Sequence, residues 1–379
     1  MASFFPEIRK NFGFGCMRLP EKAGVIDIDE CCRMCDFFLE QGFNYFDTAH
    51  GYHAGRSETS IREFLTKRHP RESFLLTNKL TEEYFRKNED IRPFFKMQLE
   101  ACGVEYFDFY LMHAQNKQNF QKYKACRAYE EALKLKEEGL IRHFGISFHD
   151  KAEVLDQILT EYPQVEIVQI QINYVDYGDA SVDARRVYEV CEKHGKPVIA
   201  MEPVKGGSLV NLPKEANDIF DSLTPAGETR PSNASYAIRF AADFPNMVMV
   251  LSGMSDMHQM EDNLSYMKDF KPLSSKERDA IFKVCELFRA QNLIPCTSCR
   301  YCIDENHCPK DILIPDMFSL VNSHKQFASW NQGYYYETVL TEGGHSKASE
   351  CIGCGKCERV CPQHLEIRDL LKTVAKTFE

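Results

Sequence analysis

The 379-residue chain is 44% hydrophobic and 27% charged, which suits a globular protein with one large domain and room for a small one. A formal charge of −10 argues against a nucleic-acid or anionic-membrane surface and favours solubility or a basic redox partner. No apolar run approaches the ~18 residues of a membrane span, and MASFFPEIRKNFGFG lacks the basic, apolar and small-residue order of a signal peptide, so a cytoplasmic protein is expected.

Over the first 270 residues, strand-like apolar runs alternate with helix-period segments. The pattern predicts strands at 12–18, 44–49, 74–80, 107–113, 142–148, 167–173, 197–203 and 248–253. Between them it predicts helices near 28–41, 57–67, 88–102, 123–138, 151–161, 181–194, 232–243 and 256–268. Eight such units have the size and rhythm of a (β/α)8 barrel with a parallel sheet buried on both faces. A doubly wound open sheet is the alternative, but no GxGxxG follows an early strand. Residues 204–231 are rich in Gly, Pro and Asn and read as a surface loop beside the barrel mouth. The expected organisation is α/β: a TIM barrel over 1–273, a connecting helix at 274–290, and a small, mainly helical iron–sulfur domain over 291–379.

That last assignment comes from eight of the sixteen cysteines. Cys296, Cys299, Cys302 and Cys308-Pro309 form one run, and Cys351, Cys354, Cys357 and Cys361-Pro362 a second. Three cysteines at two-residue intervals wrap three irons of a cubic cluster, and the distant Cys-Pro supplies a ligand to the other cluster. The spacing therefore predicts two 4Fe–4S clusters held crosswise, Cys361 completing the first set and Cys308 the second. The alternatives are zinc sites, which favour two separated cysteine pairs, or disulfides. The runs resemble two-cluster bacterial ferredoxins. Cys31, Cys32 and Cys35 fall in a helix-like stretch and read as small buried hydrophobes. Between the cluster runs, PDMFSLVNSHKQFAS looks helical and WNQGYYYETVL looks like a packing surface.

In a barrel, chemistry gathers where strands end. The second predicted strand presents Asp47 and then Tyr52, the third Lys79 and the fourth His113. An ammonium held by a carboxylate would lower a phenol's pKa from about 10 and make it a usable acid, while an imidazole could donate to and orient a carbonyl oxygen. A single Lys or His at a strand end is usually just solvated; four such groups on one rim form a proton-transfer set. His50 and His53 flank Tyr52 and could shape a pocket, Ser57 reads as the next helix's N-cap, and Arg18 could reach the mouth from the first strand.

At these residues the chain resembles the aldo-keto reductase superfamily, from GFGCMRLP to MEDNL, and with SECIGCGKCERVCPQH it resembles the branch that fuses such a barrel to a ferredoxin-type domain. The resemblance implies a nicotinamide cofactor at the barrel mouth, a carbonyl or alcohol substrate, and Tyr52 as proton donor. It also implies cofactor contacts from Ser147, Gln171, Asn173 and Asn263. Four positions depart from the family pattern. Phe148 replaces the asparagine after Ser147, Met201 stands where a Tyr commonly stacks on the nicotinamide, and Gly253 and Gln259 align with the Lys and Arg that grip the 2′-phosphate of NADPH. Without those cations an NADPH preference loses its charge-assisted partners; Lys205 is the candidate replacement.

A nicotinamide delivers two electrons as a hydride and a 4Fe–4S cluster passes one, so joining them calls for a carrier such as a flavin. No flavin motif is present, although barrels bind flavin phosphate through backbone groups. Three arrangements follow. The barrel reduces a carbonyl with NAD(P)H while the clusters are structural or sensing; the clusters feed electrons to a flavin or substrate, with a redox partner protein; or the barrel is a non-catalytic scaffold. No motif identifies the substrate.

Overall fold

The computed structural model describes residues 4–178, 182–291, 293–304, 308–326, 330–341 and 345–379. Eight parallel strands close on themselves: β1 (Phe12–Gly15), β2 (Tyr45–Asp47), β3 (Leu75–Leu80), β4 (Phe107–Gln115), β5 (Ile141–Phe148), β6 (Ile167–Gln171), β7 (Val198–Met201) and β8 (Met247–Gly253). Each strand pairs with the next and β8 returns to β1, the order of a (β/α)8 barrel. Side chains alternate across a strand. Tyr45, Leu75, Phe109, Leu111, Ile167 and Leu251 therefore share an inner cluster, plugged by Phe5. Their neighbours Phe46, Leu76, Tyr110 and Val168 join the larger core against the helices. Gly145 makes the inner layer possible: a Cβ there would lie 2.6 Å from Ile167 Cγ2 and 2.7 Å from Leu111 Cδ2.

The same parity sets the candidate site. Asp47 is two residues above Tyr45, Lys79 four above Leu75, and His113 two above Leu111, so all three continue inward-facing rows past the point where the rows turn polar. Register links the rows, with Gly15 opposite Asp47 and Asp47 opposite Thr77.

The helices are α1 (Ile28–Glu40), α2 (Ser57–Ile61), α3 (Asn88–Cys102), α4 (Lys117–Ala125), α5 (Ala128–Glu137), α6 (Ala152–Glu161), α7 (Ala184–Lys193), α8 (Lys214–Asp221), α9 (Asn233–Ala242), α10 (Met257–Met267), α11 (Ser275–Gln291), α12 (Ile314–Gln326), α13 (Trp330–Tyr335), α14 (Lys356–Arg359) and α15 (Ile367–Phe378). The helix predicted at 123–138 is two helices, because Asn116 caps an earlier start by accepting from Gln118 N and Asn119 N, and Arg127 turns left-handed (φ 55°) between them. The strands predicted to reach 173 and 203 stop at Gln171 and Met201. α2 continues as a wider turn over Arg62–Thr66.

The chain divides into two compact units. One comprises Met1–Gly178, Asp183–Val204 and Ala234–Leu273; the other includes Lys205–Asn233 and Ser274–Glu379. Residues 205–233 thus belong with the C-terminal unit and hold α8, where a plain surface loop was expected. Leu209, Leu212, Ala216 and Phe220 are buried there, and α8 packs on α11. A Pro- and Gly-rich composition hid an apolar face only partly expressed in sequence. The C-terminal unit is built around Ile312, Met317, Phe318, Tyr336, Leu371 and Val374. No helix among the described residues is long and apolar enough to cross a membrane.

Candidate active site and cluster-binding cysteines

Lys79 Nζ donates to Asp47 Oδ1 at 2.6 Å, to the Thr48 carbonyl at 2.8 Å and to the Tyr52 hydroxyl at 3.2 Å. All of these side chains are buried, Lys79 at 1% exposure and Tyr52 at 9%. Burial pushes the Asp47 carboxyl up and the Lys79 amine down, while their mutual contact pulls each back toward its charged form. Among the described residues Asp47 Oδ2 has no hydrogen-bond partner, so one carboxylate oxygen carries the whole ion pair. The Tyr52 and His113 rings meet edge to face, 6.2 Å between centroids.

His113 sits on a β-bulge. Pairing of β4 with β5 shifts by one residue between Met112 and Gln115, and Ala114 turns left-handed (φ 49°). Ser147 Oγ accepts the displaced Ala114 N–H at 2.8 Å, so Ser147 braces the bulge. The imidazole Nδ1 lies 2.7 Å from Thr81 Oγ1. Burial first, then Lys79 and His149, hold the His113 pKa well below the ordinary imidazole range. The unfolded chain therefore takes up this proton first as pH falls, and stability is lost below about pH 6.5. Urea midpoints should drop more between pH 7.5 and 5.5 for the native chain than for His113→Asn; equal drops would contradict a buried neutral imidazole.

Behind Lys79 lies a buried polar network that the sequence did not announce. Asn78 Oδ1 accepts from Lys79 N at 2.8 Å, Gln98 Nε2 donates to the Lys79 carbonyl at 3.0 Å, and the buried Glu58 carboxylate accepts from Asn78 (2.8 Å), Gln98 (3.0 Å) and the His50 ring (2.7 Å). His50 thus anchors the network, and His53 instead accepts from Leu19 N and pairs with Glu21. Ser57 is not an N-cap: its hydroxyl donates to the Cys16 carbonyl at 3.0 Å and meets Thr48 Oγ1 at 2.8 Å, tying α2 to the ends of β1 and β2. Thr81, two residues past Lys79 on the same inward row, was findable by parity alone.

The expected cofactor residues are more committed to the protein than the sequence suggests. Gln171 Nε2 and Asn173 Nδ2 both donate to Asp176 Oδ2 at 2.6 Å, and Asn173 Oδ1 accepts from Val175 N and Asp176 N. Met201 is half-buried at the end of β7. Asn263 is buried against Ser252 Oγ and the Tyr266 hydroxyl. Gln259 is exposed and caps the start of α10 with Asp256 and Ser255. Arg18 lies over Gly253, its Cβ, Cγ and Cδ 3.0–3.3 Å from where a Cβ would stand. The aliphatic stem of Arg18, just past β1, therefore lies against the end of β8. Lys205 is buried and falls in the C-terminal unit. Cys31 and Cys35 are buried free thiols, the former pushed up to about 12 by burial.

The two cysteine runs share a backbone path. The residues on either side of the second cysteine are left-handed in both loops: Ser298 (φ 53°) and Arg300 (φ 68°) around Cys299, Gly353 (φ 70°) and Gly355 (φ 70°) around Cys354. Alternating hand turns successive N–H groups into a concavity that suits an anionic iron–sulfur cluster. The thiols of the two runs influence one another. Burial first, then Cys296, Cys361 and Cys357, push Cys302 up; burial, then Glu358, Cys351 and Cys308, push Cys357 up to about 11. Cys308, Cys351, Cys354 and Cys357 line one cavity together. Among the described residues no three His, Cys, Asp or Glu side chains are placed to hold a metal ion.

The family model described as the aldo/keto reductase family matches residues 11–286, and the 4Fe-4S dicluster domain model matches 290–362. An uncharacterised oxidoreductase of Bacillus subtilis, YqkF, is 26% identical over 72% of this chain and 94% of its own length. The barrel is similar to the holo form of aldo-keto reductase AKR11C1 from Bacillus halodurans, with TM-score 0.57, 24% identity, and coverage of 72% of this chain and 91% of that one. It is also similar to a Klebsiella pneumoniae aldo-keto reductase in complex with NADPH, with TM-score 0.59, 18% identity, and coverage of 72% and 90%.

Proposed function

This chain belongs to the aldo/keto reductase family, and from that premise we propose that it is an iron–sulfur oxidoreductase reducing a carbonyl compound, or oxidising the matching alcohol, with NAD(P)H. The observation that carries the reading is the single ammonium of Lys79 bridging Asp47, the Thr48 carbonyl and Tyr52 on the barrel rim. A bound nicotinamide would supply two electrons as a hydride. Tyr52 hands its phenolic proton to the carbonyl oxygen as negative charge builds there. Lys79 stabilises the charge left on the phenol oxygen, and Asp47 holds that ammonium in position against its burial. Thr81 donates to His113 Nδ1, which leaves the ring proton on Nε2 to orient the carbonyl oxygen. Anaerobically prepared protein should oxidise NADH or NADPH only when an aldehyde or ketone is added. No nucleotide binding and no turnover with any carbonyl would remove the reading.

Cofactor choice follows from charge. With Gly253 and Gln259 at the 2′-phosphate positions, NADH is expected to bind at least as tightly as NADPH. Calorimetric titration with both checks this, and a tenfold preference for NADPH would contradict it.

In this reading residues 1–273 supply the reductase barrel, without the 205–233 segment, helix 274–290 connects, and 291–379 carries two 4Fe–4S clusters. Cys296, Cys299, Cys302 and Cys361 would hold one, and Cys308, Cys351, Cys354 and Cys357 the other. The bound clusters would supply one-electron storage. Gly206 gives a direct test, because a Cβ there would lie 1.9 Å from the Thr297 carbonyl inside the first cysteine loop, at a φ of +63°. Gly206→Ala is expected to displace that loop and lose about half the bound iron and sulfide, one cluster of a pair. Unchanged iron content would show that the loop does not hold a cluster in this position.

A further inference from the structure

We propose that the surface around Cys354 is the docking site of an acidic one-electron carrier protein, an inference that rests on the cluster reading above. The two cysteine sets are not equivalent. In the first set Cys302 is buried and Cys296, Cys299 and Cys361 are partly buried; in the second, Cys354 is exposed. Next to it Ile352 is 60% exposed, a large apolar side chain held out on a tight loop between two cysteines. Lys310, Lys356 and Arg368 line the same cavity, and no carboxylate lines it. Arg368 is paired with Glu358 at 2.7 Å, whereas Lys310 and Lys356 are exposed and form no ion pair among the described residues.

This arrangement fits a transient electron-transfer encounter. Such interfaces are small, so one apolar anchor beside the redox centre and a few cations suffice. The chain as a whole is negative, at −10, so an acidic carrier is repelled by most of the surface. The two unpaired lysines make the Cys354 loop a local exception, and the mismatch itself gives orientation: the carrier can approach productively only where the cluster is nearest the solvent. In each encounter the carrier would lose one electron and the cluster gain it, with no bond made or broken and no proton required.

The test uses the full-length holoprotein, with iron and sulfide counted first, and an acidic flavodoxin as probe. Native protein should bind it by calorimetry at low ionic strength and lose affinity as salt is added. Lys310→Glu with Lys356→Glu should weaken binding at least tenfold with iron content unchanged. Ile352→Ser should weaken it several-fold without altering the salt dependence. Lys310→Gln with Lys356→Gln gives an intermediate loss and guards against a folding defect in the charge-reversed chain. Equal affinity in all variants with iron intact, no binding by the native protein, or tighter binding of a basic cytochrome would overturn the docking site. Native protein that carries no iron would instead overturn the cluster reading beneath it.

Discussion

Tyr52→Phe is expected to lower kcat for carbonyl reduction by about 10²–10⁴-fold, the range that a positioned general acid contributes, with nucleotide affinity unchanged. The substitution isolates the proton. The ring that meets His113 edge to face, with Lys79 Nζ 4.9 Å from its centroid, stays in place, and only the hydroxyl that accepts from Lys79 is lost. A transition-state contact should therefore disappear while ground-state contacts persist, so kcat and kcat/KM fall together. His113→Ala offers the contrast, since a group that orients the carbonyl oxygen is expected to raise KM as well. Steady-state kinetics on anaerobic protein reads both. If Tyr52→Phe turns over at the native rate, the phenol is not the acid and the bridging ammonium serves the fold alone.

Asp47→Ala should destabilise the barrel by about 3–5 kcal/mol, the usual consequence of leaving a buried charge without its partner. Lys79 is 1% exposed, and after the substitution its ammonium would keep only the Thr48 carbonyl and the Tyr52 hydroxyl as acceptors. The pH dependence gives the sign. Burial already lowers the Lys79 pKa, and losing Asp47 lowers it further, so the unfolded chain binds the extra proton and stability rises with pH. The deficit of Asp47→Ala should accordingly shrink as pH climbs toward the ordinary lysine range. Combining Asp47→Leu with Lys79→Met should recover most of the loss, because no charge is then buried. Denaturation followed by near-ultraviolet circular dichroism of the barrel tyrosines reads this transition. A single variant as stable as the native chain would mean that the ion pair is better solvated than its burial implies.

Most of the barrel was legible in the chain because each strand is a short apolar run set between helix-period segments. Asp47, Lys79 and His113 were readable as a set because each extends an inward row. The 4Fe-4S dicluster domain was readable because cysteine spacing within a loop is a local property. Elements that depend on a distant surface were not. Nothing near residue 214 marks it as a helix of the C-terminal unit, since α8 packs on α11, about 60 residues further along the chain. Ser57 looked like a cap in one dimension and turned out to be a tie between strands, and Gln171 and Asn173 looked available until Asp176 turned back onto both.

Local patterning and spacing were enough to specify the barrel, the rim residues and the two cysteine runs, because those depend on dihedral period and loop length. Tertiary structure alone decided which polar groups are already taken, which side chain lies against Gly253, and which of the cysteines is exposed. Charge is the clearest case. A net count of −10 suggested a basic partner, whereas Lys310, Lys356 and Arg368 line the cavity beside Cys354, and electrostatic attraction acts over only about a Debye length.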